Sequence, residues 1–92
     1  MTAWLIGSPK YKDLYATGAV RNAVLDMNYM NAATDIPDWI AACVLNKPLD
    51  QSILTTEDVI KIHERSPISV VQNVTVPFLI MVGEVDLRVP PH

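Results

Sequence analysis

Ninety-two residues make at most one small domain, which buries only roughly 60–65% of its unfolded surface, so its core is marginal. Half the residues are hydrophobic and mean hydropathy is +0.21, rich for so small a soluble protein and suited to an interior piece of something larger. A net charge of −3 with no basic block argues against a nucleic-acid partner, and no apolar run approaches the roughly 18–20 residues that span a bilayer.

In chain order, "TAWLIG" reads as the last turns of a helix, with Gly7 as the stop and Pro9 beyond it. The opening decapeptide has no basic residue before its apolar stretch and does not read as a signal peptide. "KYKDLY" is a polar connector with buried tyrosine anchors. "ATGAVRNAVLD" holds a short β-compatible run from about Thr17 to Leu25. Residues 26–47 read as irregular or helical, with Asp35 capping a short helix that has Pro37 in its first turn.

Thr55 begins a clearer helix. Asp58 follows three residues on, a capping-box spacing, and Val59, Ile60 and Ile62 or His63 supply the inner face. Ser66-Pro67 ends it, because a residue before proline disfavours the helical region. "PISVVQNVTV" is a connector. Its "NVT" fits a glycosylation sequon, read here as coincidence. Pro77 opens "FLIMV", apolar on both faces, as in a central strand of a parallel α/β sheet. The order helix, strand, helices, strand gives an α/β fold that is incomplete, because two strands alone cannot form a sheet covered on both faces.

Functional side chains in open α/β sheets sit just outside the carboxyl ends of the strands. Asp86 and Arg88 fall there, next to a tight turn at Gly83. An aspartate so placed can orient a histidine and stabilise its imidazolium. The plainer alternative is a loop ion pair or a turn cap. Asp35 and Asp38 flank Pro37, where capping and turn roles come before a metal or acid pair. No metal site and no cofactor is expected. Cys43 reads as a small hydrophobe on a helix, with no adjacent cation to activate it. One cysteine forms no internal disulfide and fits a reducing compartment, so a cytoplasmic location is expected. Trp4 and Trp39 read as packing anchors, Trp39 with the option of facing a substrate.

"GEVDLRVP" (Gly83 to Pro90) resembles the aspartate loop of the prolyl oligopeptidase family of serine peptidases. "GAVRNAVLD", "TDIPDW" and the stretch from Arg65 to Pro90 are similar to its acylaminoacyl-peptidase branch. The resemblance implies an α/β-hydrolase catalytic domain with a triad in the order Ser, Asp, His and a G-x-S-x-G elbow for the serine. It implies a reaction that releases N-acylated amino acids from peptides through an acyl-serine. It assigns Asp86 as the triad aspartate and Arg88 as a substrate-holding residue. No G-x-S-x-G occurs in the sequence, and Ser8, Ser52, Ser66 and Ser69 all lack the elbow. His63 reads as a helix residue, and His92 lies far earlier than the family's histidine. The expectation is a partial domain over residues 1–92 that lacks the elbow and the histidine loop, inactive alone. The alternative is a non-catalytic interaction protein, or a truncated gene product, that pairs or self-associates through exposed strand edges.

Overall fold

The computed structural model describes residues 1–49 and 53–91. Helix α1 spans Thr2–Gly7, strand β1 Gly18–Arg21, α2 Met27–Ala33, α3 Asp38–Leu45, α4 Thr56–Arg65 and strand β2 Phe78–Met81. Short 3₁₀ segments occupy Lys12–Leu14 and Pro67–Asn73. The two strands pair in parallel, from Gly18 opposite Phe78 to Arg21 opposite Met81. Everything from α2 to the second 3₁₀ segment forms the crossover that a parallel pair requires.

The first strand is shorter than the apolar run that encodes it. It stops at Arg21 because Asn22 turns into the left-handed region, φ 45°. Asp26 then caps α2, its carboxylate accepting from the backbone N–H groups of Asn28 and Tyr29. Gly7 is the last residue of α1 and not a left-handed stop. Its need for glycine is spatial, since a Cβ there would lie 2.8 Å from Val70 Cγ2 and 2.9 Å from the Val70 carbonyl oxygen. The tyrosines of "KYKDLY" are less buried than expected. Tyr11 is half-buried and Tyr15 exposed.

Asp35 does not cap α3, whose N-cap is Pro37 with no side-chain bond. The capping box of α4 forms as read. Thr55 Oγ1 accepts from Asp58 N–H, and the Asp58 carboxylate accepts from Thr55 N–H. Of the residues expected on the inner face of α4, Ile62 is buried and the others are not. Asp58 and Ile62 are buried one turn apart, whereas Val59, Ile60 and His63 are exposed. Buried Ser66 follows at the same spacing. Its hydroxyl donates to Ile62 C=O at 2.8 Å and accepts from Met27 N–H at 3.0 Å, joining the end of α4 to the start of α2.

The core lies among helices. Met30, Ile40 and Ile62 from α2, α3 and α4 are buried together, with Trp39, Leu45, Leu54 and Val89 packed around them. Helix α1 packs on β1, with Ile6 beside Gly18, the second 3₁₀ segment lies by Phe78 and Ile80, and among the described residues there is no third strand. Leu79, Ile80, Met81 and Val82 are 43–58% exposed, so "FLIMV" is apolar on both faces without being covered on both. The result is thin, 42 × 30 × 16 Å, with a radius of gyration of 14.0 Å. A close-packed domain of this length would have roughly 12 Å.

The small core makes each buried side chain count. Ile62→Ala is expected to cost about 2–5 kcal/mol and Thr55→Ala about 1 kcal/mol, read as lost urea midpoint. Lys47 and the Thr55 groups hold the Asp58 carboxyl below its ordinary value of 3.8. Its stabilisation is complete above that value and is lost as pH falls below it. Acid titration of the helical signal should therefore show a steeper loss below pH 3.8 in the parent than in Asp58→Asn.

Candidate active-site aspartate

Parallel, in-register strands bring their carboxyl ends to one place, and two loops meet there. After β2 the chain turns at Gly83, whose carbonyl accepts from Asp86 N–H at 3.2 Å. The Asp86 side chain closes the next turn. Its Oδ1 accepts from the backbone N–H groups of Arg88 and Val89, both at 2.9 Å. Its Oδ2 accepts from the side-chain amide of Asn22, the residue that follows β1. Asn22 in turn donates its backbone N–H to Met81 C=O at 2.8 Å, extending the strand pairing by one rung. A Cβ on Gly83 would stand 3.1 Å from Asn22 Nδ2, so glycine there keeps the amide's path to Asp86 clear.

These donors have an electrostatic effect. The Val89 N–H first, then the Asn22 amide and the Arg88 N–H, hold the half-buried Asp86 carboxyl below the usual carboxylate range, against partial desolvation. Asp86 is therefore ionised at neutral pH and keeps acceptor capacity on Oδ2, which can take two hydrogen bonds.

Arg88 is held from the opposite side. Its Nε donates to Asp35 Oδ1 at 2.6 Å and its Nη2 to Asp35 Oδ2 at 3.2 Å. Thr34 Oγ1 donates to Arg88 C=O at 2.8 Å, and Asp35 N–H donates to Leu87 C=O at 3.2 Å. The paired charges lower Asp35 and raise Arg88. Asp35 thus serves the aspartate loop and not the helix N-terminus. "TDIPDW" and "GEVDLRVP", about fifty residues apart, are two halves of one contact. Between them opens a cleft of about 240 Å³, lined by Ala33, Thr34, Asp35, Glu84, Val85, Asp86, Leu87, Pro90 and Pro91.

The remaining candidates are elsewhere. His63 is exposed on α4, and among the described residues no hydrogen bond or ion pair joins it to Asp86. Ser66 is buried with its hydroxyl committed. Ser69 Oγ donates to Ser66 C=O at 2.8 Å, and Ser8 terminates α1. Cys43 is exposed on α3, not packed as a small hydrophobe. Trp39 packs on the core. Ser52 and His92 lie outside the described residues. Among the described residues no three metal-ligating side chains converge, and no helix is long and apolar enough to cross a membrane. Sequence reasoning missed Asn22 and Thr34. The signal for Asn22 was a polar residue interrupting "AVRNAVL", which a strand running to Leu25 had absorbed.

The prolyl oligopeptidase family model matches residues 1–92. The chain belongs to this family. Family membership places the helix-and-strand unit in an α/β-hydrolase-type fold, in which a parallel β1–β2 pair with a helical crossover is at home. The chain is similar to the acylamino-acid-releasing enzyme of Arabidopsis thaliana, 40% identical over 94 residues. It is 34% identical to the enzyme of that name from Rattus norvegicus over 93 residues and 36% identical to that of Homo sapiens over 89. These matches cover 98, 98 and 94% of this chain but 12% of each relative, so the chain spans about an eighth of their length. No solved structure matches the chain.

The clasp on the aspartate loop can be opened selectively. Solvent screens the exposed Asp35–Arg88 pair, so Asp35→Asn should barely change global stability. Hydrogen exchange at the Arg88 and Val89 amides should nevertheless quicken. Unchanged exchange there would mean that the Asp86 turn holds the loop unaided.

Proposed function

We propose that the chain is the part of a serine-type peptidase of the acylamino-acid-releasing kind that supplies the aspartate of its catalytic triad, Asp86. The observation that carries this reading is the Asp86 carboxylate, fixed at the carboxyl end of β2 by three donors with Oδ2 still able to accept a further bond. In this reading the serine and the histidine are supplied from outside these 92 residues. Asp86 Oδ2 accepts the Nδ1–H of the histidine and so fixes its tautomer. The histidine Nε2 takes the serine proton as the hydroxyl oxygen attacks the carbonyl of an N-acylated residue. The tetrahedral oxyanion is held by backbone N–H groups. Collapse expels the peptide amine, which receives the proton from the imidazolium. Water, activated by the same histidine, then releases the acylated amino acid from serine.

Arg88 has a part in substrate binding. Asp35 engages its Nε edge, which orients the guanidinium beside Asp86 and leaves Nη1–H groups for a substrate carbonyl. A second reading rests on the open strands. The free edge of β2 and the exposed Leu79–Val82 run suit pairing with another chain, so the protein would act by association.

The 92-residue chain is expected to take no fluorophosphonate label and to leave p-nitrophenyl and N-acetyl-alanyl substrates intact. Labelling that disappears in Asp86→Ala would instead place a complete triad within it. In a polypeptide that also carries the serine and histidine, Asp86→Asn should lower kcat by about 10⁴-fold. Concentration-dependent sedimentation of the 92-residue chain measures the association reading.

A further inference from the structure

We propose that Asn22 is a positioning residue for the reaction, setting the Asp86 carboxylate through its side-chain amide so that Oδ2 meets the histidine in one orientation. This rests on the assignment of Asp86 to the triad. Two turns fix Asp86 along its own loop, one through Gly83 C=O and one through Oδ1. Both act through the backbone or Oδ1. The oxygen that would face the histidine, Oδ2, is held from the other strand, by Nδ2 of Asn22.

Asn22 is itself well anchored. Its backbone N–H extends the β1–β2 ladder to Met81, and its φ of 45° aims the side chain toward the aspartate loop and not along the strand. Asparagine is among the few residues other than glycine that settle in this region. It is also one of the few that then offers a neutral donor. A neutral donor holds an ionised carboxylate without quenching the charge that the imidazolium needs. The charged groups around Asp86 are Arg88 on its own loop, Asp35 facing it through Arg88, and Glu84 on the same cleft.

The bland alternative is that Asn22 only satisfies a left-handed turn. Two substitutions separate the cases. Asn22→Gly keeps the backbone conformation and removes the amide. Asn22→Asp keeps the shape and replaces the donor with a carboxyl, which donates only while protonated. In the 92-residue chain, NMR titration of Asp86 is expected to show its carboxyl below the ordinary value, moving upward in Asn22→Gly. In the polypeptide that carries serine and histidine, Asn22→Gly should lower kcat by about 10²-fold with KM unchanged. Asn22→Asp should be poor at neutral pH and regain activity relative to the parent as pH falls, because the facing carboxyls raise each other's pKa and retain a shared proton.

An Asp86 titration indifferent to Asn22→Gly overturns the proposal. So does a kcat within about twofold of the parent in Asn22→Gly, or a loss in Asn22→Asp that is the same at every pH. Asp86→Asn, assayed alongside, tells the failures apart. If it loses activity while the Asn22 variants do not, Asp86 stays in the triad without Asn22. If Asp86→Asn stays active, the triad assignment itself is wrong.

Discussion

Four paired positions between β1 and β2 are the constraint on which this molecule depends. A parallel pair cannot be closed by a tight turn, so the intervening chain must leave the sheet, fold, and return in register. A slip of one residue would turn the side chains of one strand to the other face and move Asn22, at the end of β1, out of line with the Asp86 loop. The hydrogen bond between Asn22 and Asp86 is therefore both a product of the register and a check on it. Local geometry at the site is cheap by comparison, consisting of one left-handed residue and two short turns. The expensive part is the crossover, and the helical core is built there.

That division explains the thin shape. The core of Met30, Ile40 and Ile62 serves to hold the crossover together, and the sheet contributes almost nothing to it. Val89 touches this core directly and lies one residue past Arg88, so the helices reach the aspartate loop through packing as well as through Asp35. The apolar surface left on β2 is the counterpart. A strand whose last three residues, with Val82 just after them, are apolar and half-exposed has the composition of an interior element and the exposure of an edge.

Much of this was legible in the residues. The capping box at Thr55 and Asp58 was readable because its spacing is local and its chemistry is specific. Asp86 was singled out by the resemblance of "GEVDLRVP" to an aspartate loop; the residues alone pointed first to a loop ion pair or a turn cap, and a turn closed by its carboxylate is what forms. The misreadings share one cause. Asp35 was read as a cap, Val59 and Ile60 as inner-face residues, and the first strand as running to Leu25, each from its immediate neighbours. Asp35 instead answers a guanidinium fifty-three positions away. The face of α4 is set by Asp58 and Ser66, two polar residues whose partners lie on other elements. Asn22 ends its strand because a partner waits on the other loop. Polar residues choose partners by geometry at long range, and a one-dimensional pattern weights them by what usually happens nearby.

The Asp58 carboxylate has a further consequence. It closes the first turn of α4 and also receives Lys47, which follows the left-handed Asn46 at the end of α3. Both ends of the intervening stretch are thus fastened to the same side chain. Losing the Asp58 carboxylate would therefore release the end of α3 and the start of α4 together, and with them part of the crossover that returns β2 to the side of β1.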